Sequence, residues 1–199
     1  VKIKKLLIQD GANLSLDENG KLTISESLKC AETGKIDASE GTVIFTGTGT
    51  VENPSFEAND SSIFGKLLVA GNAEFYSESK IIAGLLENNG TFTTKSDLHI
   101  TNALSNNGTF TAQTVYAEPS ETATIIGKAG DSAEIANQTK IQELICTDKG
   151  GKSLVINGNI SVGKISLSGV ENSFLTVKTT DSENSGKIYL GENCDASYL

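Results

Sequence analysis

The sequence predicts an all-β chain wound as a single-stranded parallel β-helix, a β-solenoid of about nine coils of about 18–25 residues. Three observations carry this. The phrase Leu86-Glu87-Asn88-Asn89-Gly90-Thr91-Phe92-Thr93 returns eighteen residues later as Leu104-Ser105-Asn106-Asn107-Gly108-Thr109-Phe110-Thr111, identical at seven of eight positions. A looser form, Gly followed by Lys or Thr and then apolar alternation, recurs from Gly20-Lys21-Leu22 to Gly186-Lys187-Ile188. Finally, the apolar runs lie too close together for crossover helices, which excludes a doubly wound α/β fold.

The repeated phrase sets the expected coil. Asn-Gly is expected to turn the chain through positive φ, and Thr-Phe-Thr then alternates on a strand. Stacking places Phe92 under Phe110 inside, and Thr91 and Thr93 under Thr109 and Thr111 outside. Taking Gly20, Gly41, Gly65, Gly90 and Gly108 as coil markers gives steps of 21, 24, 25 and 18. An antiparallel sandwich closed by hairpins at Asn19-Gly20, Asn89-Gly90, Asn107-Gly108 and Asn157-Gly158 is the rival architecture. A sandwich has no reason to repeat an octapeptide, whereas stacked coils place like on like and gain Asn ladders and aromatic stacks.

In chain order, Leu14-Ser15-Leu16, Leu22-Thr23-Ile24 and Val43-Ile44-Phe45 read as short strands. The run from Thr46 to Val51 reads as a corner entering a strand that Asn53-Pro54 ends. Phe56, Ile63-Phe64 and Leu67-Leu68-Val69 resume the alternation. Phe75 and Tyr76 must face opposite ways, one to the core. Residues 79–86 allow a helical turn or two, with Gly84 against it. Residues 131–146 read either as a helix, with Asp131 and Glu134 at capping-box spacing and Ile141, Leu144 and Ile145 on one face, or as a strand over residues 140–147, the preferred reading. Leu154-Val155-Ile156, Ile160-Ser161-Val162, Ile165-Ser166-Leu167, Phe174-Leu175-Thr176-Val177 and Ile188-Tyr189-Leu190 complete the strands.

Composition narrows the function. The chain has 199 residues, a net charge of −9 and neither Met, Trp nor Arg. Nucleic acid needs clustered cations, so neither it nor an anionic membrane is an expected partner. No apolar run reaches the length of a membrane span, and the start, Lys2 to Gln9, has too short an apolar core for a signal peptide. The chain is therefore expected to be one solenoid segment over residues 1–199, a fragment of a longer protein whose export signal and anchor lie elsewhere. Cys30 and Cys146 alternate with apolar residues and are expected to be buried, with a Cys146–Cys194 bridge as an open alternative.

Asn-Asn-Gly-Thr-Phe-Thr and Leu154-Val155-Ile156-Asn157-Gly158-Asn159-Ile160 resemble the degenerate repeats of bacterial surface proteins with a right-handed parallel β-helix, similar to filamentous haemagglutinins and autotransporter passenger domains. The resemblance covers most of the chain and rests on composition and rhythm. It implies export, an extracellular or cell-surface location, a long stalk and often adhesion.

Chemistry is thinly represented. Parallel β-helices also resemble polysaccharide lyases and pectin hydrolases, which use carboxylate clusters with Arg, Lys or His. Here His99 is the one histidine, expected to be an exposed bystander between Leu98 and Ile100. Asp181-Ser182-Glu183 and Glu192-Asn193-Cys194-Asp195 are the densest carboxylate groups, each read as a solvated loop, though coils can bring distant carboxylates together. There is no Gly-x-Ser-x-Gly elbow, no phosphate-cradling loop and no calcium-binding repeat. The reading is of a non-enzyme with no catalytic, cofactor or metal residues and no cofactor. Six sequons, at Asn13, Asn59, Asn89, Asn107, Asn137 and Asn159, follow from composition. An adhesive segment would show exposed aromatics, Tyr76 or Tyr116 among them, for carbohydrate or a host matrix protein. A flat Thr ladder for ice needs more than the pairs at Thr91, Thr93, Thr109 and Thr111.

Overall fold

The computed structural model describes residues 1–47, 56–57, 62–130, 132–147, 151–180 and 186–197, excluding the side chains of residues 56, 57, 133, 192 and 193. The strands are β1 (Lys2–Ile8), β2 (Asn13–Ser15), β3 (Lys21–Cys30), β4 (Lys35–Phe45), β5 (Phe56–Glu57), β6 (Ile63–Val69), β7 (Glu74–Ser77), β8 (Ile81–Asn88), β9 (Thr91–Asn106) and β10 (Thr109–Ala117). After β11 (Thr122–Ile126) come α1 (Ala133–Ala136), β12 (Thr139–Thr147), β13 (Ser153–Asn157), β14 (Asn159–Ser168), β15 (Thr176–Lys178) and β16 (Lys187–Ser197).

Every strand pairs parallel with its neighbours, and the chain forms a β-solenoid of about eight turns. Each turn visits three faces in the same order. β9 makes a whole circuit: residues 91–94 on one face, 97–100 on the next and 103–106 on the third, each hydrogen-bonded to a different set of rungs. We call the faces holding residues 103–106, 91–94 and 97–100 face 1, face 2 and face 3. Face 3 carries nine rungs among the described residues: 13–15, 35–38, 63–64, 81–83, 97–100, 114–117, 143–147, 164–168 and 193–197. Nine rungs are separated by eight steps, and at about 4.8 Å per step the stack is about 38 Å tall.

Inside, like sits on like. Face 1 stacks Leu22, Val43, Leu67, Leu86, Leu104, Ile125 and Ile156, all buried. Face 3 stacks Ile81, Leu98, Val115, Leu144 and Ile165. On face 2 the rings of Phe75, Phe92 and Phe110 lie nearly parallel, with centroids 4.7 Å and then 5.1 Å apart. Tyr76 faces outward as Phe75 faces in. Each fully buried Leu, Ile or Phe contributes about 1.5–3 kcal/mol of transfer free energy.

The Asn-Asn-Gly corners also stack, but not by positive φ. Neither Gly90 nor Gly108 is in the left-handed region, which the described glycines occupy only at Gly11, Gly130, Gly151 and Gly158. Glycine is needed there for contact, since a Cβ on Gly108 would overlap the carbonyl oxygen of Gly90 one rung away. Asn88 and Asn106, both buried, point inward at the same corner. Asn88 Nδ2 donates to Asn106 Oδ1 at 2.8 Å, and Asn106 Nδ2 donates to Thr139 Oγ1 at 2.8 Å, so a polar ladder satisfies itself beside the Phe column. On the outside, Asn107 Nδ2 donates to Asn89 Oδ1 at 2.9 Å.

Several expectations need correction. Gly90 is not the marker after Gly65: Lys66 pairs with Leu85, so Gly84 follows Gly65, while Gly90 and Gly108 belong to a different corner. Coil steps are wider than expected, from Phe75 to Phe92, seventeen residues, up to Ile125 to Ile156, thirty-one. Residues 79–86 are not helical, because Ile81–Asn88 is β8. Among the described residues of 131–146 only Ala133–Ala136 is helical, and the strand reading holds. Both false helical spacings have one cause. A corner residue between two faces puts inward residues three apart, Ala83 and Leu86 around Gly84, and Ile141 and Leu144 around Gln142. Asp131 lies outside the described residues, and the oxygen that accepts from Ile135 N at 3.3 Å is Ser132 Oγ. The expected corner at 46–51 and strand end at Asn53-Pro54 also lie outside them, from residue 48 onward.

Candidate functional site

With the interior given to stacking, function must be sought on the outward columns. Face 3 carries the least polar one. Ile63, Ile82, His99, Tyr116 and Ile145 occupy equivalent outward positions on five successive rungs, all half-buried, with Asp37 before them and Ser166 and Asp195 after. β-Branched and aromatic residues suit such cross-strand ladders, because each covers the next. The column is flanked on one side by Lys80, Asp97, Thr114, Glu143 and Lys164, and on the other by Gly65, Gly84, Thr101, Glu118 and Thr147.

At its centre His99 and Tyr116 stack with ring centroids 4.5 Å apart and planes 10° off parallel. His99 Nδ1 lies 3.0 Å from Glu118 Oε1. The histidine is therefore no exposed bystander, its side chain being 17% accessible. Tyr116 faces three carboxylates. The charge of Asp97, then burial, then the charges of Glu143 and Glu118 hold its hydroxyl above the usual tyrosine pKa. Glu143 is itself bound by Lys164 at 2.9 Å, one rung on.

Tyr76, on face 2, is also engaged. Its hydroxyl donates to Glu78 Oε1, and this bond, ahead of the Lys95 charge, holds Glu78 below the usual carboxylate pKa. Lys95 Nζ lies 5.3 Å from the Tyr76 ring centroid and 3.5 Å from Glu78. The two aromatics singled out as binding candidates are thus on different faces, and each has a ring face covered by a neighbour.

The other candidates are scattered. Asp181-Ser182-Glu183 and Asn59 lie outside the described residues, as do the side chains of Glu192 and Asn193. Glu192 to Asp195 belong to β16 rather than to a loop, with Asp195 exposed. The Thr pairs do stack, Thr91 with Thr109 and Thr93 with Thr111, but the second column continues as Tyr76 on one side and Lys140, Ser161 and Tyr189 on the other. No flat Thr lattice results. Of the sequons, Asn13, Asn107 and Asn137 are exposed, Asn89 is half-buried and Asn159 is buried.

Cys30 and Cys146 are buried as expected, and none of the three cysteines is bridged. Cys194 aligns with Ile165 and Leu144, while Cys146 aligns with Leu167 in the adjacent column. The two thiols are two rungs apart, about 9.6 Å along the stack, further than a disulfide spans. Among the described residues no three His, Cys, Asp or Glu side chains converge as metal ligands would. An open depression of about 330 Å³ lies at the first rungs, lined by Lys2, Ile3, Lys4, Thr23, Ser25 and Thr46, and contains no carboxylate. Among the described residues no helix is long and apolar enough to cross a membrane.

Sequence reasoning missed the apolar column on face 3 and the ion pairs between rungs, Lys66 with Glu87 and Lys164 with Glu143. Their partners are about twenty residues apart, and only the register of stacked coils brings them together. No family model matches the chain, and no curated protein or solved structure matches it.

Proposed function

We propose that the chain is a non-catalytic stalk segment of a bacterial secreted or cell-surface protein, a rigid spacer whose sequence is spent on building the rod. The observation that carries this reading is the stacking, continuous through every turn on faces 1 and 3. Inward columns run through successive rungs on all three faces, and corners of very different length leave the register intact. Rods of this kind gain stiffness because each rung is hydrogen-bonded and packed to the rungs above and below. Adhesion to carbohydrate is supported less well. Sugars bind the open faces of aromatic rings, whereas Tyr76 lies beneath Lys95 and His99 and Tyr116 cover each other.

The test joins shape, activity and location. Small-angle scattering of the purified chain should give a rod of constant cross-section, antibodies against it should label intact cells of the source, and incubation with a panel of polysaccharides should release no product. Cleavage of any polysaccharide that disappears on replacing carboxylates would overturn the proposal. Saturable binding to a glycan or matrix protein would move it from stalk to adhesin.

A further inference from the structure

We propose that the outward column of face 3 is a self-association surface, on which a second copy of this chain packs with its long axis reversed. The column presents half-buried apolar or aromatic side chains on five successive rungs, and its spacing is that of the stack, about 4.8 Å. An α-helix or an isolated extended peptide does not repeat at that interval over five positions, whereas another β-solenoid does so at every rung. Two such faces interdigitate as stacked sheets do, about 10 Å apart.

The flanking residues say which solenoid. A two-fold axis lying along the strands and passing between the His99 and Tyr116 rungs reverses the rung order and keeps each column over its own equivalent. His99 then faces Tyr116 of the second copy, Ile82 faces Ile145, and Ile63 reaches Ser166. In the flanking column Lys80 meets Glu143, while Asp97 meets Thr114 rather than another carboxylate. On the other flank Thr101 meets Glu118, a hydroxyl beside a carboxylate. Every pair occurs twice, as a two-fold contact requires. Shifting the axis onto the His99 rung would instead set Asp97 against Asp97, and moving it a whole rung either way would set Asp37 against Ile145 or Asp195 against Ile82, so charge and apolar overlap together select one register.

The footprint bounds the strength. Six rungs at about 4.8 Å, each about five residues of about 3.3 Å wide, cover about 500 Å² per copy, at the small end of specific interfaces. The dimer is weak and forms at high concentration or where stalks are crowded on one surface. Because each copy carries a net charge of −9, added salt tightens it by screening the repulsion.

Sedimentation of the whole chain over a concentration series into the millimolar range tests this. Wild type should show a reversible monomer–dimer equilibrium, stronger at higher salt. Lys80→Glu and Glu143→Lys each set like charges together twice and should weaken it by at least about tenfold, whereas an equimolar mixture of the two variants pairs opposite charges at both contacts and should recover near wild-type association. Both replaced side chains lie outside the core, and circular dichroism and melting check that each variant is folded. A wild-type chain that stays monomeric throughout would overturn the proposal, as would single variants that dimerise like wild type or a folded Ile82→Glu that does so.

Discussion

Phe110 lies against Phe92 on one side and the Thr139 rung on the other, at the point where the aromatic column gives way to smaller residues. Its ring is fully buried, so Phe110→Ala should cost about 3–5 kcal/mol in denaturant unfolding. Phe110→Asp should do worse, since a carboxylate there has no cationic partner, and should unfold at least the neighbouring rungs. A Phe110→Asp chain that melts like wild type would contradict the inward column. Tyr116 offers a second reading at this scale. Its hydroxyl should titrate above an ordinary tyrosine when followed by ultraviolet absorbance, and Asp97→Asn, which removes the largest cause, should bring it down. A group whose folded pKa is raised contributes stability that is fully present below its unfolded pKa and is lost as pH rises through the folded pKa, so alkali should weaken the fold through Tyr116.

Between elements, the ion pairs that cross rungs have their own signature. Glu87, on β8, is held below the usual carboxylate pKa by its bond from Lys66 on β6, then by Asn89. The stability this contributes is present above the unfolded value of about 4.3 and is lost as pH falls through the lower folded value. Lys66 Nζ and Glu87 Oε2 are 2.8 Å apart, but both side chains are about a third accessible, so the pair is worth less than about 1 kcal/mol. Thermal melts of wild type and Glu87→Gln should differ slightly at neutral pH and converge in acid. A difference that grows in acid would mean Glu87 is not the anion in a pair. Such pairs mark the limit of what the sequence makes legible. The octapeptide reveals the parallel stack, the Phe column and the Thr register, because identical neighbours eighteen residues apart need no knowledge of the corners. The Gly65-to-Gly90 step misleads because two corners of one coil both use glycine. The apparent helices mislead because a corner residue imitates helical spacing. The face 3 column stays hidden because Ile63, Ile82, His99, Tyr116 and Ile145 align only after steps of 19, 17, 17 and 29 residues.

For the whole molecule, a rung in the middle has two neighbours and a terminal rung has one. Positions that belong to the inner columns are accordingly more exposed at the last rung, where Leu190 is 49% accessible, than at its equivalent Val162, fully buried one rung earlier. Hydrogen exchange should follow this gradient, with amides of residues 91–94 protected longer than those of β1 and β16. Uniform protection along the chain would show one cooperative unit instead. The corner between β11 and β12 points further. It takes up twelve residues, 127–138, including α1, yet Phe110 still meets Thr139 and Ile125 still meets Ile156. Cargo length at a bend is thus uncoupled from the architecture beneath it. A foreign epitope grafted there would be carried at a fixed height along the shaft, and the same scaffold could diversify what it displays without redesigning what supports it.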